Sequence, residues 1–285
     1  MIRDILITGC SSGIGYEAAL LLRDHGYRVF PTARKEEDVT RLQALGFEAY
    51  QLDLDSSESI ENALNQVLSS TGGTLCALFN NGAYGQPGAV EDLTRDVLRQ
   101  QLETNLLGWH ELTCRVLPVM RAQGYGRIIQ NSSVLGLITM KYRGAYNCSK
   151  FALEGLTDTL RQELKGSNIH VSLIEPGPIT SQFRVNAYKA FKANIRINNS
   201  AHRSTYEAVE KRLAKEDSNN KKAPFTLEPE VVIKKVLHAL QSSHPKARYY
   251  VTFPTYLFAY LRRILPARWL DAVLIRVSDS ENHQS

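Results

Sequence analysis

The chain has 285 residues, 43% of them apolar and 22% charged, which suits one large or two small globular domains and excludes wholesale disorder. Lys and Arg number 34 against 29 acids, a net charge of +5. That excess is mild and lacks the charge blocks of a nucleic-acid binder, so no nucleic-acid partner is expected. Cys10, Cys76, Cys114 and Cys148 form no CxxC pair and the seven histidines form no HxH or HExxH cluster, which argues against a disulfide scaffold and against a metal site.

From the N-terminus, the apolar run Ile5–Ile7 is too short for the core of a signal peptide, and no stretch reaches the roughly 18 apolar residues of a spanning helix. The expected location is cytoplasmic. Strands are predicted at Ile5–Thr8, Tyr27–Pro31, Glu48–Leu54, Leu75–Asn80, Arg127–Ser132 and His170–Pro176. Helical spacing lies between them, as in Ile14–His25, where Ala18, Leu21 and Leu22 share a face and Gly26 ends the helix. Strands separated by crossovers of this length predict an α/β fold, a doubly wound parallel sheet of Rossmann-like form, as a single domain over 1–285. Runs without polar alternation, such as Leu75–Phe79, fit strands buried on both faces.

Residues 1–180 read as a cofactor-binding and catalytic core. The basic, Asn-rich stretch 181–228 reads as a lid over the substrate, with a helix near Tyr206–Ala214. A helix over Glu230–Leu240 and a last strand over Arg248–Thr252 precede a C-terminal extension, 253–285. Its part Phe253–Val277 is aromatic and basic, and Ser278–Ser285 reads as a frayed polar tail.

The first strand runs into Thr8-Gly9-Cys10-Ser11-Ser12-Gly13-Ile14-Gly15. Glycine permits the tight turn and close backbone approach, and the following helix offers free N–H groups and a positive dipole end to a pyrophosphate. The spacing is Gly-x₃-Gly-x-Gly, so the turn is a dinucleotide site of a variant type, with Ser11 and Ser12 as added hydroxyls. At the end of the second strand an NAD site usually carries an acid that binds the ribose 2′-hydroxyl. Here Ala33 stands there and Arg34-Lys35 follow. A guanidinium can bond a 2′-phosphate through two parallel donors, so the cofactor expected is NADP, used as NADPH, with Arg34 as the discriminating residue and Lys35 and Ser11 as neighbours.

Tyr146 and Lys150 stand at i and i+4, so on a helix they share a face. A nearby ammonium stabilises phenolate and lowers a tyrosine pKa that is ordinarily about 10, which makes the phenol an acid–base catalyst. Ser133, after the fifth strand, lies at the same carboxyl edge of the sheet as the glycine turn, where ligands of such sheets bind.

With the glycine turn, Tyr146-x₃-Lys150, Asn80-Asn81, Asn105, Ser133 and Pro176-Gly177 in place, the chain resembles the short-chain dehydrogenase/reductase family over about residues 2–180. Its texture is similar to the branch that handles steroids, retinol and aldehydes. The resemblance implies that Tyr146 is the general acid or base and that Ser133 hydrogen-bonds the substrate oxygen. It implies that Lys150 binds the nicotinamide ribose and lowers the Tyr146 pKa, and that Asn105 holds a relay water. Cofactor contacts implied are Gly9, Ser11, Ser12, Gly13, Ile14 and Gly15 in the turn, Asp53 at the adenine, Asn81, Tyr146, Lys150, and Ile179 with Thr180 at the carboxamide. The order Asn80-Asn81-Gly82-Ala83 departs from the family's usual Asn-Asn-Ala-Gly. Homodimers or homotetramers are implied as well.

The expected activity is hydride transfer between NADP and an apolar aldehyde, ketone, steroid or retinoid-like alcohol, as an aldehyde or carbonyl reductase. Phe183, Tyr188 and Phe191 are candidates to line the pocket. The alternatives are a β-ketoacyl carrier reductase, drawn to an acidic carrier by the basic lid, and a dinucleotide sensor without turnover, which the complete catalytic set argues against. The aromatic, basic C-terminal stretch is expected to pack on the pocket or on a partner subunit, with peripheral membrane contact the minor reading.

Overall fold

The computed structural model describes residues 3–218 and 224–283, with the side chains of 211–218 and 281–283 left aside. In chain order the elements are β1 (Asp4–Ile7), α1 (Gly13–Asp24), β2 (Arg28–Ala33), α2 (Glu36–Ala44), β3 (Tyr50–Gln51), α3 (Ser57–Thr71), β4 (Ala77–Asn80), α4 (Arg95–Leu102), α5 (Gly108–Gln123), β5 (Gly126–Asn131), α6 (Gly144–Glu163), β6 (Ile169–Glu175), α7 (Phe183–Asn194), α8 (Arg203–Ser218), α9 (Glu230–Gln241), β7 (Arg248–Tyr250), α10 (Phe253–Ile264) and α11 (Ala267–His283). The seven strands form one parallel sheet in the order β3-β2-β1-β4-β5-β6-β7. This is the expected doubly wound, Rossmann-like architecture. Its strand order reverses between β1 and β4, which opens a crevice at their carboxyl ends.

Successive strand residues feed opposite layers, as the pleat requires. Ile5, Ile7 and Phe79 pack with Ala18 and Leu22 of α1, Leu42 of α2 and Val236 of α9. Leu6 and Leu78 pack on the other face with Ile60 of α3, Trp109 and Val116 of α5 and Leu153 of α6. Both faces are therefore covered, which is why these strands carry no polar alternation.

The structure departs from expectation in three places. The third strand shrinks from Glu48–Leu54 to two residues, paired only with β2 at the sheet edge. The Leu52 N–H still donates to Ala33 O at 3.0 Å, but beyond it the pairing stops, and the side chains of Leu52 and Leu54 are buried in the α3–α5 layer. The lid carries a helix, α7, that its apolar spacing did not announce, ahead of the expected helix near Tyr206. The predicted frayed tail is corrected for Ser278–His283, which continue α11. Ser278 is buried and its Oγ accepts from the Lys141 N–H at 3.3 Å, while Lys141 Nζ pairs with Asp279 at 2.7 Å. These anchors hold a polar segment in place that composition alone would leave free.

Candidate active site

The glycine turn and the loop after β4 are built against each other. Gly9 and Gly13 have φ of 70° and 59°, a region that penalises any Cβ. A Cβ on Gly9 would also collide with the Gly82 backbone, and one on Gly15 with the Gly9 carbonyl. Thr8 Oγ1 accepts from the N–H groups of Asn81 and Gly82 at 2.9 and 3.0 Å, and Asn81 Nδ2 donates to the carbonyls of Thr8 and Gly9 at 3.2 and 3.3 Å. Asn131 Nδ2 donates to Asn81 Oδ1 at 2.8 Å, which extends the clamp to β5. The departure Gly82-Ala83 thus places the smaller residue where the loop backbone meets Gly9.

This cradle suits a dinucleotide. The first turn of α1 holds no acid, and its N-cap Ser12 makes no capping bond. The α1 N–H groups therefore face no competing anion. Asn131 Oδ1 is buried without a partner among the described residues, an acceptor that a bound hydroxyl would satisfy. Ser181, beside Ile179 and Thr180, lies over the turn: a Cβ on Gly13 would stand 2.9 Å from Ser181 Cβ. Thr180 N–H donates to Leu227 O at 3.0 Å and Leu227 N–H to Pro178 O at 3.2 Å, which ties the start of the lid to its end.

At the end of β2, Ala33 is buried and Arg34 is exposed. Arg34 makes no ion pair among the described residues, whereas Lys35 is turned onto Glu37 at 3.0 Å. Arg41 of α2 donates to the Ser11 carbonyl and pairs with Asp38 at 3.0 Å. It brings a second guanidinium to the glycine turn, one that sequence reasoning missed. Asp53 is half-buried in the loop after β3, its Oδ1 accepting from the Asp55 N–H at 3.1 Å.

Ser133, Tyr146 and Lys150 converge beyond β5. Ser133 is buried, and its Oγ accepts from the Leu135 N–H at 3.1 Å and bonds the Tyr146 hydroxyl. Tyr146 lies in the first turn of α6, with the Phe183 ring edge-on at 5.2 Å. Lys150, one turn further, is fully buried. Its Nζ donates to Asn131 O at 2.7 Å and sits 4.4 Å from the Trp109 ring centre and 5.6 Å from that of Tyr146.

Burial governs both pKa values. It pushes the Tyr146 phenol up to about 12, opposed by the Ser133 bond and the Arg143 charge. It pulls Lys150 down to about 7, opposed by the Glu154 carboxylate. Lys150 was expected to lower the Tyr146 pKa. Instead its ammonium is itself desolvated and bonded to Asn131, and the cation acting on the phenol is Arg143.

Asn105 lies in a π-helical turn, Glu103–Leu107, between α4 and α5. Its Oδ1 accepts from the Tyr84 N–H at 3.2 Å, and its Nδ2 donates to Tyr84 O at 2.8 Å and to Ser149 Oγ at 3.4 Å. Both amide hydrogens are spent, so a relay water there would have the Oδ1 lone pair or the main chain to bind.

Of the three lid aromatics, Phe183 reaches the site, between Tyr146 and Gly85. Tyr188 instead donates to Glu210 at 3.3 Å, and Phe191 is enclosed in a satellite core with Ala89, Ile195 and Tyr206. An open groove of about 460 Å³ runs past Met140, Cys148 and Phe151 and includes none of the expected site residues.

Behind the site lies a buried ionic cluster that spacing alone did not reveal. Arg248 of β7 pairs with Glu154, with Glu175 at 2.5 Å and with Asp158 at 2.6 Å, and Glu154 also accepts from Ser132 Oγ. Burial and the neighbouring Glu154 charge push Glu175 up to about 8. Glu154 stands at i+4 from Lys150, which was legible, but the guanidinium that holds it comes from nearly a hundred residues away. Among the described residues no three His, Cys, Asp or Glu are grouped to hold a metal, and no helix is long and apolar enough to cross a membrane.

A family model described as short chain dehydrogenase matches residues 3–192. The uncharacterized oxidoreductase YbbO of Escherichia coli K12 is 42% identical over 274 residues, covering 96% of this chain and 94% of its own. Human 17-beta-hydroxysteroid dehydrogenase type 1 is 32% identical over 263 residues, covering 87% of this chain and 77% of its own. A short-chain dehydrogenase of known structure from Streptomyces avermitilis superposes with a TM-score of 0.77 at 26% identity, over 99% of this chain and 96% of that one.

Proposed function

The chain belongs to the short-chain dehydrogenase family and is an oxidoreductase of that family, and from that premise we propose that it is an NADP-dependent reductase of apolar aldehydes or ketones. The observation that carries this reading is the convergence of Ser133, Tyr146 and Lys150 at the sheet edge that also holds the glycine turn.

When bound, the nicotinamide supplies the hydride. Ser133 Oγ, at hydrogen-bond reach of the Tyr146 hydroxyl, donates to the carbonyl oxygen and to the charge that develops there. Tyr146, held neutral by burial with its pKa near 12, keeps its proton at the phenol oxygen and yields it to that same oxygen. A phenol that stays protonated at neutral pH suits reduction, where an acid is required. Lys150, whose Nζ donates to Asn131 O, would hold the ribose of a bound cofactor, and with a pKa near 7 it can exchange a proton at working pH. Asn105 fixes the Tyr84 loop and offers the remaining lone pair to a relay water. Phe183 forms the apolar wall against Tyr146 that selects apolar substrates.

Preference for NADP rests on the absent acid at Ala33, on Arg34, which has no ion pair among the described residues, and on Arg41 at the Ser11 carbonyl. A homodimer or homotetramer joined through α5 and α6 belongs to the same reading, supported by Leu156, which is 43% exposed on α6. The test is NADPH and NADH consumption by purified enzyme with a panel of apolar carbonyls. Arg34→Ala should weaken NADPH by roughly 10–100-fold, the worth of a charged hydrogen bond, and spare NADH. Adding Ala33→Asp should turn the preference toward NADH. Equal kcat/KM for both cofactors in the wild type refutes the NADP assignment.

A further inference from the structure

From Val231 to Leu270 the chain carries seven Lys and Arg and no acid; Arg248 among them is held in the ionic cluster, and the exposed Asp271 follows at once. Within that stretch α10 is apolar on two faces. Thr255, Phe258 and Ala259 are buried, and Phe258 packs on Leu135 and Ile138 in the cluster that also contacts Tyr146. The other face carries Phe253, Tyr256, Leu257, Tyr260 and Ile264, all exposed, at the i, i+3, i+4, i+7, i+11 spacing of one helical stripe. Ile264 is 74% exposed and Trp269, just beyond at the start of α11, is 67% exposed. Arg263 and Arg268 flank the stripe and are exposed too. A contiguous apolar patch with an intact core beneath it marks an interaction surface rather than a packing fault.

We propose that this face of α10 and the start of α11 docks on an anionic lipid surface. The aromatic and aliphatic stripe would enter the headgroup boundary, and the arginines would meet the lipid phosphates. The charge pattern selects this occupant over a second copy of the chain. A two-fold contact would gather Arg263 and Arg268 of both copies into one interface, with Asp271 the one adjoining acid to offset them. An anionic bilayer offers the opposite sign, and each basic residue near it strengthens binding about five-fold at low salt. The opposite side of the same helix packs through Phe258 in the Tyr146 cluster, so α10 itself would stand between the lipid and the site.

Flotation of the full-length protein with phosphatidylcholine vesicles, with and without phosphatidylglycerol, tests this. Binding is expected only with phosphatidylglycerol, and high salt should abolish it. Of the two tryptophans, Trp109 is fully buried and Trp269 exposed, so a vesicle-induced blue shift of fluorescence reports Trp269. R263Q with R268Q should weaken binding about 25-fold. Y260S with I264S should abolish the blue shift while circular dichroism and the melting temperature stay as in wild type. No flotation of the wild-type protein on anionic vesicles overturns the proposal. So does binding that neither double variant weakens, and so does a change of oligomeric mass in Y260S with I264S, which would make the patch a self-interface.

Discussion

Replacing Arg248 by Met would leave Glu154 and Glu175 facing each other without a cation. Their side chains are 8% and 0% exposed, whereas Asp158, at 36%, can turn to water. Breaking a buried ion pair by removing one partner costs about 3–5 kcal/mol. The lower end applies here, because burial and the neighbouring Glu154 charge hold Glu175 well above the usual carboxylate range, which eases its protonation once the cation is gone. An unfolding entropy of about 2.1 cal/mol/K per residue over 285 residues gives about 0.6 kcal/mol/K. A loss of about 3 kcal/mol therefore lowers the melting temperature by about 5 °C.

The pH dependence distinguishes this cause from lost packing. A carboxyl whose folded pKa lies above its unfolded value stabilises fully below the unfolded pKa, and that contribution is lost as pH rises through the folded pKa. For Glu175 the window runs from its ordinary 4.5 to about 8. Without Arg248 both acids are pushed higher, so the gap between wild type and variant should widen from pH 5 to pH 8. Thermal unfolding followed by circular dichroism at both pH values measures it. Adding E154Q and E175Q should recover most of the loss. An equal gap at both pH values, or no recovery in the triple variant, would refute the reasoning.

Tyr146→Phe should lower kcat by about 10²–10⁴-fold, with NADPH affinity by fluorescence titration retained; an unchanged kcat removes Tyr146 from the acid's role. Glu154→Gln removes the carboxylate that raises Lys150, so the alkaline limb of the kcat/KM profile should move to lower pH, and a fixed limb would show that Lys150 does not set it. Truncation after Val277 removes the Ser278 and Asp279 bonds to Lys141 and should lower the melting temperature by about 2 °C, where a frayed tail would leave it unchanged.

The sheet was legible because parallel strands buried on both faces must be apolar throughout, and Leu75–Phe79 or Ile5–Ile7 can be little else. The third strand was overextended because Leu52 and Leu54 are as apolar as ladder residues, yet their side chains serve the α3–α5 layer and the pairing with β2 ends at the Leu52 N–H. Local composition does not say which neighbour a leucine will find. The tail misled for the converse reason. Ser278 and Asp279 look like solvent-facing residues until Lys141, well over a hundred positions away, arrives to bond them.

The site divides along the same line. The glycine turn, Ser133 and the Tyr146–Lys150 pair are encoded by local spacing, and the fold brings them together. Arg41, Trp109 and Arg248 reach the site through tertiary contacts, for which spacing has no sign. Dielectric environment is the deepest case. Positions i and i+4 place an ammonium near a phenol, and in water that pairing would favour phenolate. Here both groups are buried, and desolvation governs each: the phenol rises to about 12 against the Ser133 bond and the Arg143 charge, and the ammonium falls to about 7 against the Glu154 charge. The pair thus stands with a proton held firmly on Tyr146 and loosely on Lys150. That ordering fits an acid that must keep its proton until a carbonyl oxygen gains charge, beside a lysine able to pass a proton inward afterward. Glu154 is the largest opposing influence on Lys150, and Arg248 holds Glu154 in place. The ionic cluster on β7 therefore limits how far burial lowers the lysine's pKa, and a stability change at Arg248 should arrive together with a shift in the pH profile.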